Sequence, residues 1–163
     1  MRITVTAVGR VRAAPEMALF ESYWERSAAL GGKLGISKLD LLIMDTSRGG
    51  SPAQRMEEEA AKLEARIPAP AHRIALDEGA RALTSEAFAN RLALLRDRGT
   101  RDLVFLIGGP DGLSPRLREG AQERLAFGPQ TWPHLLVRAM LAEQIYRAFA
   151  ILSGHPYHRG RAG

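Results

Sequence analysis

Apolar residues alternate at the start of the chain, at Ile3, Val5 and Ala7, in a period-two rhythm that ends at Gly9 and predicts a strand. From Pro15 the period changes to three and four. Met17, Phe20 and Trp24 share one face of a helix whose first turn holds the proline, where a backbone N–H has no partner to lose. Leu39 to Met44 reads as a second strand. After Gly49-Gly50, Ser51 with Gln54 has the form of a capping box, and Pro52 between them suits the first helical position. That helix is expected to run to about Arg66 and to stop before Pro68 and Pro70. His72 to Asp77 forms a third strand pattern, Thr84 or Ser85 caps a helix with Phe88, Leu92 and Leu95 on one face, and Leu103 to Ile107 is a fourth strand. Ser114-Pro115 starts a short helix that fades by Gly120, Glu123 to Phe127 suggests a brief strand, and Pro133 opens a last helix to about Leu152.

Strands alternating with helices predict an α/β domain with a mostly parallel sheet flanked by helices. No linker tract or internal repeat divides the chain, so a single domain over residues 1–163 is expected. The last helix carries two apolar stripes. Val137, Met140, Leu141, Ile145, Ala148, Phe149 and Leu152 form one, and Leu135, Ala139, Ala142, Tyr146 and Ala150 the other. One stripe suffices to cover a sheet, so the second implies either a partner subunit or deeper burial within the chain.

The strand Leu103 to Ile107 runs directly into Gly108-Gly109-Pro110-Asp111-Gly112, the strongest ligand-site candidate in the chain. Open α/β sheets bind ligands at the carboxyl ends of their strands, and glycines let main-chain groups approach a ligand closely. The loop lacks both the Lys-Ser/Thr of a phosphate-binding P-loop and the spacing of a dinucleotide fingerprint. Pro110 removes a donor and Asp111 adds negative charge, which suits a neutral or cationic ligand better than a pyrophosphate. A turn that only starts the next helix is the structural alternative.

Composition narrows the partners. There is no cysteine for a disulfide, thiolate metal site or thiol nucleophile, and the four histidines are scattered, so no metal is expected. No stretch approaches the roughly 20 apolar residues of a membrane span, and the amino terminus enters a strand pattern instead of a signal peptide, so a cytoplasmic location is expected. The first 80 residues carry 11 basic and 11 acidic side chains; the remainder carry 12 arginines against 7 acids, so the whole net charge of +5 lies there. Such asymmetry suits RNA, because arginine pairs bidentately with phosphate and stacks on bases. A general preference for arginine is the alternative, since the chain has only three lysines.

Five motifs then carry a resemblance. They are Leu76-Asp77-Glu78-Gly79 with Leu83-Thr84-Ser85-Glu86-Ala87-Phe88-Ala89; Phe105 through Ser114; Pro133-His134-Leu135-Leu136-Val137-Arg138; Glu143-Gln144-Ile145-Tyr146-Arg147-Ala148; and His155-Pro156-Tyr157-His158-Arg159. In this order and spacing, over nearly the whole chain, they resemble the bacterial ribosomal RNA large subunit methyltransferase H family of the SPOUT superfamily. The resemblance implies a deep C-terminal trefoil knot, with knot and cofactor site within about residues 72–155, and a homodimer that binds S-adenosylmethionine. A knot is a feature that general topological rules would have argued against. The implied reaction methylates N3 of a pseudouridine in the helix 69 hairpin of 23S ribosomal RNA, on the assembled ribosome.

Carried onto this sequence, the resemblance implies a cofactor pocket of three segments: Leu76, Gly108, and Phe127-Gly128-Pro129-Gln130-Thr131-Trp132. The family tends to have Ser-Leu-Ser-x-Met-Thr where this chain has Ala126 to Thr131, so main-chain contacts carry over more directly than side-chain ones. A nearby Asp111 is compatible with a sulfonium. His158 is implied as base or proton relay, Arg159 as anion stabiliser or phosphate clamp, and Tyr157 as a stacking or hydrogen-bonding residue, since N3 must lose its proton as it attacks the methyl. Arg138 and Arg147 are RNA or dimer-interface candidates, and His134 is expected to cap the last helix or pack beside the cofactor. Two other functions fit parts of the pattern. A non-catalytic RNA- or ribosome-binding α/β protein would share the basic half, and a flavodoxin-like nucleotide enzyme would share the alternation but lacks support from any phosphate or ribose motif.

Overall fold

The computed structural model describes residues 1–9 and 13–158. Five strands form one sheet in the order β2-β1-β4-β3-β5, and every pairing between them is parallel. The strands are β1 (Arg2–Val8), β2 (Lys38–Met44), β3 (His72–Leu76), β4 (Asp102–Ile107) and β5 (Glu123–Leu125). The helices are α1 (Pro15–Gly31), α2 (Pro52–Glu64), α3 (Ser85–Asp97), α4 (Pro115–Glu119) and α5 (His134–Ser153). The expected alternation and fold class therefore stand, and the sheet is parallel throughout.

Period-two packing divides the core between two faces. Leu103, Phe105 and Ile107 of β4 join Ile3, Val5 and Ala7 of β1 against α1, α3 and α5. Val104 and Leu106 point the other way, onto Leu63 of α2 and Leu117 of α4. Central strands are buried on both sides, which is why even Thr6 is fully buried; its hydroxyl donates to Phe105 O at 3.0 Å and avoids an unpaired polar group.

Local chemistry sets the helix ends. Ser51 and Gln54 make the reciprocal capping box at the start of α2, which ends at Glu64, two residues short of the expected boundary. Thr84, not Ser85, caps α3 by accepting from Ala87 N at 3.1 Å. On α1, Met17 and Phe20 are buried, and Trp24 stacks on Phe20 at 5.1 Å between ring centres.

The second stripe of α5 has an internal explanation. Ala139, Ala142, Tyr146 and Ala150 are buried, and Tyr146 meets Tyr23 of α1 at 6.0 Å, so these small residues let α1 pack closely against α5. Burial against α1 within the chain therefore accounts for Ala139, Ala142, Tyr146 and Ala150 of this stripe, while Leu135 is half-buried. With Leu141, Ile145 and Phe149 on the sheet side, each contributing about 1.5–3 kcal/mol by burial, α5 is held on two faces. Among the described residues no helix is long and apolar enough to cross a membrane.

Candidate functional site

Parallel strands release all their following loops at one edge of the sheet. β3 pairs with β5 up to Leu76 opposite Leu125, and Ala75 lies opposite Leu106 of β4. Leu76, Gly108 and Phe127 therefore leave the sheet from three adjacent strands, as the three-segment expectation requires. Asp77 N donates to Leu125 O at 3.0 Å, and Ala126 N donates to Arg81 O at 3.4 Å. The Thr131 hydroxyl reaches Glu78 Oε2 at 2.6 Å, and the Trp132 indole donates to Phe127 O at 3.2 Å. Leu76, Phe127 and Gly128 are half-buried, whereas Pro129, Gln130, Thr131 and Trp132 are exposed. Gly128 adopts φ +102°, a conformation that other residues rarely enter.

The glycine loop is tight for a reason that its sequence does not display. A Cβ on Gly108 would lie 2.5 Å from Leu113 N and 2.6 Å from Gly112 O, so the returning arm of the loop occupies that space. Gly112 N closes the turn on Gly109 O at 3.0 Å, and Ser114 caps α4. Asp111 is committed elsewhere: Arg55 of α2 grips it with Nε at 2.7 Å and Nη2 at 3.0 Å, and this bonding holds the carboxyl below its usual range. Its charge is therefore already paired within the fold. Arg55 also donates to Gly50 O at 2.9 Å, so α2 anchors both the glycine loop and the loop after β2.

The C-terminal tail forms a second cluster. Tyr157 packs on Tyr146 at 4.6 Å between ring centres and donates to Glu143 Oε1 at 3.0 Å, while the Arg147 guanidinium lies 4.8 Å from the Tyr157 ring. Burial first, then bonding to Tyr23 and Glu143, pushes the Tyr157 phenol well above its ordinary range. His158 Nε2 meets Glu86 Oε1 at 2.8 Å, and its Nδ1 faces Arg147 Nη1 at 3.5 Å. A carboxylate only accepts, so Nε2 carries the proton and Nδ1 receives from arginine. Both ring nitrogens are thus engaged, leaving no lone pair for a substrate proton in this arrangement. Glu86 is held below its usual range by its own backbone N–H, then by His158 and Thr84. Arg159 lies outside the described residues.

Two grooves adjoin these groups. One of about 390 Å³ runs from Phe127 and Gly128 to Ser85 and Gln144, whose side chains are hydrogen-bonded at 2.9 Å. The other, about 290 Å³, lies between Leu19 and Tyr23 of α1 and Leu136, Met140 and Glu143 of α5. Both meet at Phe127, Met140 and Gln144, so the loop segment and the tail cluster flank one continuous depression. No direct bond joins them among the described residues.

Arg138 departs most from expectation. It is fully buried, donating Nη1 to Gly9 O at 3.0 Å and Nη2 to Val8 O, while its Nε is unpartnered. An RNA contact is excluded in this fold because the guanidinium closes the carboxyl end of β1. His134 lies one turn earlier near the same end; burial, then the Arg138 charge, depresses its basicity. Arg147 is half-buried and paired with Glu143 at 2.9 Å, so it too is less available to RNA than expected. Arg55, Glu86 and Glu143 were missed as supporting residues. Only the Glu143–Arg147 pair had a sequence signal, its i,i+4 spacing.

Comparisons with known proteins give the family of the chain. A family model described as "Predicted SPOUT methyltransferase" matches residues 1–158. A protein of Nitrobacter winogradskyi named ribosomal RNA large subunit methyltransferase H is 49% identical over 160 residues, covering 98% of this chain and 100% of its own. One of Hyphomonas neptunium with the same name is 50% identical, covering 98% and 99%. Among solved structures, a methylase family protein from Neisseria gonorrhoeae superposes with TM-score 0.46 at 12% identity, over 99% of this chain and 87% of that one. The SpoU methyltransferase AviRb from Streptomyces viridochromogenes, in complex with AdoMet, gives 0.41 at 14%, over 94% and 61%.

Proposed function

The chain belongs to the SPOUT methyltransferase family, and on that premise we propose that it is an S-adenosylmethionine-dependent ribosomal RNA methyltransferase. The single observation carrying this reading is near-half identity, over almost the full chain, to proteins named ribosomal RNA large subunit methyltransferase H. The finer proposal is methylation of N3 of a pseudouridine in helix 69 of 23S ribosomal RNA, on the assembled ribosome in the cytoplasm, by a homodimer whose subunits each contain a trefoil knot.

The residues at the sheet edge fit the cofactor. Leu76, Phe127 and Trp132 offer apolar cover, Gly108 and Gly128 let the main chain turn tightly at this edge, and the carboxylate of Asp111 is already neutralised by Arg55. No phosphate cradle is present in the loop, which suits a ligand whose charge is a sulfonium. When bound, S-adenosylmethionine supplies an electrophilic methyl group. Leu76, Gly108 and the segment from Phe127 to Trp132 hold and orient it; alignment with the nitrogen then contributes most to the rate.

Tyr157, His158 and Arg159 act on the RNA base. His158 takes the N3 proton on Nδ1 only after Arg147 releases that nitrogen, while Nε2–H stays with Glu86, and Arg159 stabilises the resulting imide anion. The half-exposed groove between α1 and α5 supports a second copy seated there, whose tail completes the neighbouring site. The test is mass spectrometry of helix 69 from ribosomes incubated with the protein and labelled cofactor. Label at N3 is expected, and an unlabelled hairpin refutes the specific reaction. Calorimetry with S-adenosylmethionine separates an enzyme from a non-catalytic ribosome-binding protein, and light scattering of an active monomer would remove the dimer.

A further inference from the structure

Two arginines stand at the cofactor edge of the sheet with no partner. Arg48, in the loop after β2, and Arg81, in the loop after β3, are exposed and make no side-chain hydrogen bond or ion pair among the described residues. The carboxylates around them are engaged: Asp111 by Arg55, Asp77 by Arg124, Glu78 by Thr131, and Glu59 by Ser47 N; Asp45 has a partner as well. Their backbones are nonetheless fixed. Ser47 N donates to Glu59 Oε1 at 2.9 Å and Gly50 O accepts from Arg55 at 2.9 Å, which pins the loop on both sides of Arg48. Arg81 O accepts from Ala126 N at 3.4 Å, which ties it to the segment leading into Phe127.

The sheet order puts β2 and β3 three strands apart, a separation of about 14 Å, with the glycine loop after β4 between them. A nucleotide presented to a methyl donor at that loop must bring its own phosphates over this edge. The other unpaired arginines with exposed side chains include Arg98 and Arg101, between α3 and β4. They lie at the opposite end of the sheet, about 23 Å away for a strand the length of β1, beyond reach of that nucleotide.

We propose that Arg48 and Arg81 form a phosphate track for the RNA strand, one on each side of the glycine loop. The proposal rests on the methyltransferase reading above. It also relocates RNA binding from Arg138 and Arg147, which the fold commits to internal bonds. Ordered loops with free guanidinium tips suit phosphate, because the chain loses little backbone entropy on binding and each tip offers several donors. No sequence selectivity is expected from these contacts.

The experiment measures methylation of unmodified ribosomes by the full chain and by Arg48→Gln, Arg81→Gln, Arg98→Gln and Arg101→Gln, across a range of salt concentrations. Each lost phosphate contact lowers the salt slope by about 0.7–0.9, equivalent to about 5–8-fold in affinity at 0.1 M salt. For Arg48→Gln and Arg81→Gln we therefore expect KM for ribosomes to rise by that factor with kcat unchanged, the flattened slope to follow, and Arg→Lys at either position to restore it. S-adenosylmethionine affinity and melting temperature should equal those of the parent. Unchanged KM and slope in both Gln variants, with an active parent, overturns the phosphate track and leaves the methyltransferase reading standing. Equal losses in all four variants overturn it too, since the effect would then be net charge. A parent that labels no ribosomal RNA overturns the methyltransferase reading itself.

Discussion

Replacing Arg138 by alanine separates a buried clamp from an RNA contact. The guanidinium is fully buried and holds the carbonyls of Val8 and Gly9, so truncation leaves two carbonyl oxygens to find new donors and opens a cavity beneath α5. Each hydrogen bond to a charged group contributes about 1.5–3 kcal/mol, and breaking a buried charged contact from one side typically costs about 3–5 kcal/mol. In a domain of this size each kcal/mol moves the melting temperature by about 2–4 °C, so a fall of about 6–20 °C is expected. Arg138→Met should lose less, because it fills the space and removes the desolvation that depresses the arginine's basicity. Differential scanning fluorimetry and urea unfolding give the stability, and ribosome methylation at low temperature gives the activity of the folded fraction. Arg138→Ala melting within about 2 °C of the parent, with KM for ribosomes raised, would refute the burial argument and return Arg138 to the RNA surface.

Gly108→Ala should destabilise by about 1–3 kcal/mol and weaken S-adenosylmethionine binding in calorimetry, because its Cβ collides with the backbone of Gly112 and Leu113; parental stability and affinity would contradict this. Burial pushes the Glu123 carboxyl up, but Arg91 and His72 outweigh it and hold it below the usual range. Its contribution to stability is therefore present above about pH 4.3 and lost as pH falls through the lowered value, and Glu123→Gln should abolish that part of the acid limb in urea titrations from pH 3 to 7. His134 is depressed by burial and then by Arg138, so its neutral form favours the fold above about pH 6.5 and the benefit fades as pH falls; His134→Gln should flatten stability just below that pH. Single-turnover methylation by His158→Ala should be slower than the parent's, and a rate equal to the parent's would remove His158 from the chemistry.

The strand and helix pattern was legible because it depends on neighbours within one or two turns. The capping box at Ser51, the alternation of β4 and the proline starts of α1 and α4 are local interactions, and the chain folds as they indicate. The three segments Leu76, Gly108 and Phe127 to Trp132 were identified by resemblance, and the strand order brings their starting points side by side. The burial of Arg138 and the pairing of Asp111 stayed hidden in the sequence for one shared reason. A charged side chain reads as available in a sequence, and whether a partner such as Val8 O or Arg55 waits for it is decided by residues more than fifty positions away.

The sequence by itself determined the elements, the parallel class of sheet, the glycine loop's unsuitability for phosphate and the surplus of arginine in the second half. Tertiary structure decided which charges are free. Arg55, Glu143 and Glu86 neutralise or occupy Asp111, Arg147 and His158 through contacts that chain order does not reveal, and among the described residues Arg48 and Arg81 are left as unpaired cations flanking the glycine loop. Coulombic and hydrogen-bond energies depend on distance in space, and only the packing of the helices on the sheet sets those distances.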